Sequence, residues 1–167
     1  MQNVIEHIVN FDQVASIKER YIGCGTRNLI DLYEMCEKSN EPGALINIDF
    51  EKAFDSVEWN FMYAVLKRFN FGNNFIKWIR VLYTEPKFRV KNNGWVSKSY
   101  SMSRGMRQGC PVSCLNFILV AEVLGLLIRQ SKNVKGIKVG KNEHKIIQYA
   151  DDATICVSDC DSVVEAY

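Results

Sequence analysis

Histidine and proline are scarce in this chain of 167 residues, at two and three, and no stretch is repetitive, of low complexity or rich in proline. Without such linkers, one domain or a large piece of one is expected. The start, Met1-Gln2-Asn3-Val4-Ile5-Glu6, lacks the basic residues and apolar run of a signal segment. A long apolar run is also missing. The longest, Leu115 to Ile128, is interrupted by Asn116 and Glu122 and is short for a membrane span, so no membrane is expected. Its residues Leu115, Ile118, Leu119, Val123, Leu126 and Leu127 follow the spacing of a helix packed in a core. Charge of one sign is not in large excess. The net +2 permits nucleic-acid binding without suggesting it.

Six cysteines are present. Cys110-x-x-x-Cys114 and Cys156-x-x-x-Cys160 have the spacing of paired ligands, but neither histidine stands beside them. Buried free thiols in a reducing compartment are expected rather than zinc. The composition, 47% apolar and 24% charged, is that of a globular domain and excludes disorder. Nothing in the sequence fixes the localisation beyond that reducing, intracellular setting.

Periodicity gives the order of elements. Leu29, Ile30, Leu32, Tyr33 and Cys36 predict a helix stopped by Asn40-Glu41-Pro42-Gly43, and Ala44 to Phe50 predicts a strand. Asp55-Ser56-Val57-Glu58 has the form of a capping box, which predicts a helix to about Phe69. A second helix is expected over Phe75 to Tyr83. Phe88-Arg89-Val90 and Trp95-Val96 flank Asn92-Asn93-Gly94, a hairpin turn. Lys145 to Ala150 and Ala153 to Val157 predict two strands joined at Asp151-Asp152. The expected fold class is α+β, an antiparallel sheet covered by helices.

Two segments carry chemistry. Asn47-Ile48-Asp49-Phe50 and Gln148-Tyr149-Ala150-Asp151-Asp152 each set carboxylates at the end of a strand-like run, about a hundred residues apart. Each alone reads first as a turn or cap. Adjacent like charges repel unless a cation sits between them, and Mg²⁺ takes oxygens from a few carboxylates, water and phosphate.

Three segments in order carry a resemblance: Asp49-Phe50-Glu51-Lys52-Ala53-Phe54-Asp55, Arg104-Gly105-Met106-Arg107-Gln108-Gly109-Cys110-Pro111-Val112-Ser113, and Tyr149-Ala150-Asp151-Asp152. Together with Asp12-Gln13, Lys18 and Arg20-Tyr21-Ile22-Gly23, they resemble the reverse transcriptases of non-LTR (LINE-type) retrotransposons. The resemblance implies a polymerase palm over residues 44–167 and part of the fingers over 1–43. It implies RNA-directed DNA polymerase activity, with an RNA template, a DNA primer and deoxynucleoside triphosphates as partners. Asp49 and Asp151 would hold two Mg²⁺ ions, or Mn²⁺ as a substitute, with the Phe50 carbonyl as a further ligand and Asp152 in support. Those ions would activate a primer 3′-hydroxyl and steady the departing pyrophosphate.

Other roles follow from the same resemblance. Phe54 would lie against the sugar and exclude a 2′-hydroxyl, unless it is simply a core phenylalanine. Gln108 and Gly109 would line the pocket for the templating base and nucleotide, with glycine allowing close approach. Arg20, with Lys18, would lie near the triphosphate. Arg104 and Arg107 would contact template or phosphate, or else form a solvated pair. Tyr149 would pack near the primer end or within the sheet.

The chain departs from the family pattern at Ala15-Ser16, at Glu19, at Cys114 and at Asn116. Relative to that pattern, the first fingers strands, the later palm strands, the thumb and the endonuclease are expected to be missing. Little polymerase activity is therefore expected of this polypeptide alone. A non-catalytic remnant or domesticated nucleic-acid-binding palm module is the alternative. An RNA-templated RNA polymerase would share the palm but favour glycine at Ala150 and no bulky gate at Phe54.

Overall fold

A computed structural model describes residues 1–40, 42–159 and 161–162. Two helices, α1 (Gln2–Ile8) and α2 (Ile22–Ser39), precede strand β1 (Ala44–Ile48). Helices α3 (Ala53–Ser56), α4 (Trp59–Arg68) and α5 (Asn73–Leu82) follow. Short strands β2 (Lys87–Phe88), β3 (Lys91–Asn92), β4 (Trp95–Val96) and β5 (Tyr100–Ser101) lead to the long helix α6 (Pro111–Gln130). The described chain then runs through β6 (Ile137–Val139), β7 (Asn142–His144), β8 (Ile146–Tyr149) and β9 (Asp152–Val157).

The central sheet has the order β1-β9-β8, antiparallel throughout. Alternation along its strands feeds two cores. Ile146, Ala153, Ile155 and Val157 join Ile46, Ile48 and the α6 residues Leu124 and Ile128 on one face. Ile147 and Cys156 meet Leu29, Leu32 and Cys36 of α2 on the other. The sheet is thus covered by helices, as the sequence predicts. A third and larger core joins α1, α4, α5 and α6 around Met62, Leu66, Ile118 and Leu119.

Helix α6 is twenty residues long and, by length and composition alone, apolar enough to cross a membrane. Eight of its residues are nevertheless buried within the protein, including Asn116 and Glu122. It is a core helix, longer than its apolar run. Proline at its first turn needs no N–H there.

The expected capping box at Asp55 does not form. Asp55 and Ser56 end α3, Val57 is extended, and α4 starts at Trp59 after Glu58. The reason is tertiary. The Val57 carbonyl accepts the Gly105 N–H at 2.8 Å and the Phe54 carbonyl accepts the Met106 N–H at 2.7 Å, which ties residues 54–57 to the downstream connection and away from a continuous helix.

Asn93 and Gly94, both at positive φ, make the predicted two-residue turn between β3 and β4. Phe88, however, pairs with Tyr100 rather than beside Trp95. The register shifts by one residue between the two ladders, which marks a bulge on the strand after Val96. The β6–β7 hairpin is not predicted by the sequence. Its strands are three residues each, Ile137–Val139 and Asn142–His144, and the one apolar alternation, Ile137-Lys138-Val139, is too short to read as a period.

Candidate active site at the end of the sheet

The two acidic segments meet. Strand β1 pairs with β9 from Ala44↔Val157 to Ile48↔Ala153, so one further step brings Asp49 level with Asp152. On the other side of β9, Tyr149 pairs with Asp152 across the two-residue turn Ala150-Asp151. Asp49, Asp151 and Asp152 therefore share one end of the sheet. Asp49 and Asp152 are exposed and Asp151 is half-buried. None of the three has a hydrogen bond or ion pair to a side chain among the described residues. A cavity of about 410 Å³ opens beside them, with Phe50, Glu51, Phe117, Ala150 and Asp151 in its walls.

No group of three or more His, Cys, Asp or Glu side chains among the described residues is assembled to hold a metal by itself. The donor set still suits Mg²⁺, which uses one or two carboxylates and completes its shell with water and substrate phosphates. Carboxylates brought to one end of the sheet also favour a cation electrostatically. The Phe50 carbonyl accepts the Ala53 N–H at 3.2 Å and keeps one lone pair.

The Arg104–Ser113 connection is fastened to α3 through the Gly105 and Met106 bonds. Gly105 has φ +97, and a Cβ there would lie 3.0 Å from the Asp55 carbonyl oxygen, so glycine is required both for conformation and for space. Gly109 also has positive φ but faces open space, so the close approach within the protein is at Gly105. Arg104, Arg107 and Gln108 are exposed. Phe54 is half-buried and stacks on Phe117 of α6, with ring centroids 4.1 Å apart. Tyr149 is 40% exposed.

Arg20 is engaged elsewhere. Its guanidinium donates to the carbonyls of Asn10, Gln13, Glu6 and Val9 and stacks over Phe11. These bonds shape the loop that carries Gln13. Lys18 is exposed beside Glu19, 3.8 Å away.

Gln13 enters the sequence reading only as part of the resemblance, yet it touches the β8–β9 hairpin directly. It is fully buried, and its segment joins β8 through the Gln148 N–H to the Asp12 carbonyl (2.8 Å) and the Val14 N–H to the Gln148 carbonyl (2.9 Å). The Gln13 side-chain oxygen accepts the N–H groups of Ala150 and Ala15, each at 3.0 Å, and its amide donates to the Ala150 carbonyl at 3.3 Å. Ala150 itself has φ +54, an unfavourable region for an alanine. Gln13 thus clamps the strained residue next to Asp151. A buried glutamine has no periodic signature, so only the fold reveals it.

Arg129 braces the same region. It donates to both Asp12 oxygens, at 2.8 and 2.6 Å, and to Glu122. Burial pushes the carboxyls of both Asp12 and Glu122 above their usual range, against the pull of Arg129. Gly125 leaves room for this packing, because a Cβ would stand 2.7 Å from Arg129 and from Gln148.

The five described cysteines are free, as expected. Cys156 is buried, whereas Cys110 and Cys114 are only half-buried. Cys160 lies outside the described residues.

Comparison with known proteins places the chain in a family. The chain is 26% identical over 161 residues to the transposon TX1 uncharacterized 149 kDa protein of Xenopus laevis, covering 95% of this chain and 12% of that protein. It is 29% identical over 111 residues to the retrovirus-related Pol polyprotein from type-2 retrotransposable element R2DM of Drosophila melanogaster, covering 66% of this chain and 10% of that protein. The chain therefore spans only 12% and 10% of the length of these two relatives, both proteins of non-LTR elements.

Among solved structures, it superposes on telomerase from Candida albicans in complex with a TWJ fragment of telomeric RNA. The TM-score is 0.69 at 11% identity, over 99% of this chain and 30% of that one. Apo telomerase from Candida tropicalis, truncated from its C-terminal domain, gives a TM-score of 0.62 at 12% identity, over 87% and 30% of the two chains. At such identities the likeness is one of fold. The sequence, by contrast, matches the family described as reverse transcriptase (RNA-dependent DNA polymerase) over residues 1–167, and with its acidic strand ends gathered at one edge of the sheet, this chain belongs to that family.

Proposed function

We propose that this domain carries out RNA-templated DNA synthesis by two-metal nucleotidyl transfer, with Asp49 and Asp151 as the main ligands. The observation that carries this reading is the pairing of β1 and β8 on either side of β9, which gathers Asp49, Asp151 and Asp152 at one end of the sheet. Bound Mg²⁺ supplies activation of the primer 3′-hydroxyl and stabilisation of the pyrophosphate that leaves.

The protein's own part is positioning and charge. Asp49 and Asp151 offer carboxylate oxygens, the Phe50 carbonyl offers its free lone pair, and Asp152 deepens the negative potential. Gln108 and Gly109, just ahead of α6, line the place of the templating base and the deoxynucleoside triphosphate. Phe54, backed by Phe117, stands against the sugar and leaves no room for a 2′-hydroxyl. Arg104 and Arg107 contact the template backbone, and Tyr149 faces the primer end. Arg20 contributes by holding the Gln13 loop, since four of its N–H groups are bound to backbone carbonyls.

The test is primer extension on an RNA template by a polymerase carrying this domain. Asp49→Asn and Asp151→Asn should each lower the rate at least about a hundredfold, the order lost with one preorganised charge-stabilising group. In the same assay Phe54→Val should admit ribonucleotides. Undiminished extension by the Asp variants would sink the two-metal reading, and unchanged sugar selection would remove Phe54 from it.

A further inference from the structure

The segment between Tyr83 and Gly105 adds nothing to the core, since no residue from 84 to 104 is buried. It nevertheless holds large apolar side chains in the open. Trp95 is 83% exposed, Val90 56%, Val96 53% and Tyr100 49%. Tyr100 stacks with Phe88 across the β2–β5 ladder, with centroids 6.1 Å apart. Apolar surface gathered on an excursion of this kind marks a place of contact with something else.

Its charge says what that something is. From Pro86 to Ala121 there is no Asp or Glu, while Lys87, Arg89, Lys91, Lys98, Arg104 and Arg107 are all present. Six positive charges on one segment of a chain with net +2 leave the remainder with a net charge of four negatives. Lys87, Arg89, Lys91 and Lys98 have no hydrogen-bonded or ionic side-chain partner among the described residues. A polyanion is therefore the complementary ligand. Exposed aromatics interleaved with cations suit a single strand, whose unpaired bases can stack while the phosphates meet the cations. A duplex keeps its bases inside the stack and would leave Trp95 unused.

The position of the arm fits the same ligand. Its base is the Gly105-Met106 junction, whose N–H groups are bound to Val57 and Phe54, so it departs beside Phe54 and Gln108. The β3–β4 turn at Asn93-Gly94 holds Trp95 at the tip, and the bulge before Tyr100 sharpens the twist of the arm. We propose that the β2–β5 arm is a contact for single-stranded nucleic acid outside the catalytic pocket, receiving the unpaired template on its way to the templating position. The template assignment rests on the polymerase reading above. The single-strand contact does not.

The experiment uses the 167-residue chain and a labelled oligouridylate of about twelve nucleotides, within the usual footprint of such surfaces. Binding is read by fluorescence anisotropy over a range of salt. Trp95→Ala should weaken binding between about fivefold and about a hundredfold and leave the salt dependence unchanged. Replacing Lys87, Arg89, Lys91 and Lys98 together by serine should flatten the slope of log Kd against log salt by about 0.7 for each phosphate that these side chains no longer neutralise. All five side chains are exposed, and circular dichroism confirms that the variants stay folded.

If the unmutated chain fails to bind, or both variants bind as it does, the arm is not a nucleic-acid contact. If a blunt RNA duplex competes as well as the single strand and Trp95→Ala has no effect, the arm is a duplex clamp and the proposal is overturned. Primer extension separates the two readings. An arm that binds the strand in a domain that cannot extend primers leaves the single-strand contact standing and removes the polymerase reading. Extension with no loss of strand binding in the variants does the reverse.

Discussion

Removing the Gln13 amide strips the Ala150 N–H and carbonyl of the side chain that bonds both. The Ala150 N–H is bound by the Gln13 oxygen, and exchange of that proton with solvent reports the clamp. Gln13→Met should speed its exchange at least about tenfold, since an opening easier by roughly 1.4 kcal/mol suffices. Gln13→Glu keeps an acceptor and should preserve most of the protection. Exchange measured by NMR or mass spectrometry decides the matter, and equal protection in all three proteins would remove Gln13 from the clamp. Asn116 offers a second test at this scale. It is 1% exposed, and neither its side-chain oxygen nor its nitrogen has a hydrogen-bond partner among the described residues. An unpaired buried polar group costs about 1–3 kcal/mol, so Asn116→Leu should raise Tm by several degrees in thermal unfolding. The carboxylates of the site were legible in the sequence because their position at strand ends is a local pattern. Gln13 was not legible as a clamp, because its partner Ala150 lies 137 residues away.

Helix α6 and the segment before α2 are joined by the ion pairs of Arg129 with Asp12 and Glu122. Burial dominates both carboxyls and raises them, so the folded protein holds these protons more tightly than the unfolded chain. Their contribution to stability is then largest at low pH and is lost as pH climbs through the raised values. Tm measured as pH climbs above the ordinary carboxylate range should fall on account of these two groups, and Glu122→Gln should flatten that decline. Asp159 does not disturb this window. Its hydrogen bonds with Ser162 and Lys135 hold its carboxyl down to about 2, so its effect appears only in stronger acid. A slope unaltered by Glu122→Gln would assign the pH dependence to other groups. Elements differ in how well the sequence announces them. Asn93-Gly94 fixes a turn by backbone conformation alone, whereas the break between α3 and α4 depends on Gly105 and Met106, almost fifty residues downstream. Strands β6 and β7, at three residues each, are too short to show a hydrophobic period.

Across the whole molecule, the sheet lies between α6 and α2, with its acidic end at the mouth of the cavity and the basic arm departing beside it. Charge is divided accordingly, and a net +2 conceals the division. That is why the overall balance in the sequence says so little about nucleic acid, while the fold class, set by alternating strands and amphipathic helices, was readable throughout. The pairing of Ala44–Ile48 with Ala153–Val157 has a further consequence, in time rather than in space. A strand made early must wait for one made more than a hundred residues later. At about 5–20 residues per second, synthesis leaves β1 without its neighbour for roughly five to twenty seconds. During that interval Ala-Leu-Ile-Asn-Ile is an open β-forming segment, exposed to association with other chains. The carboxylates of the candidate site can meet only when it ends, so a growing chain holds no assembled site until almost all of these residues have left the ribosome.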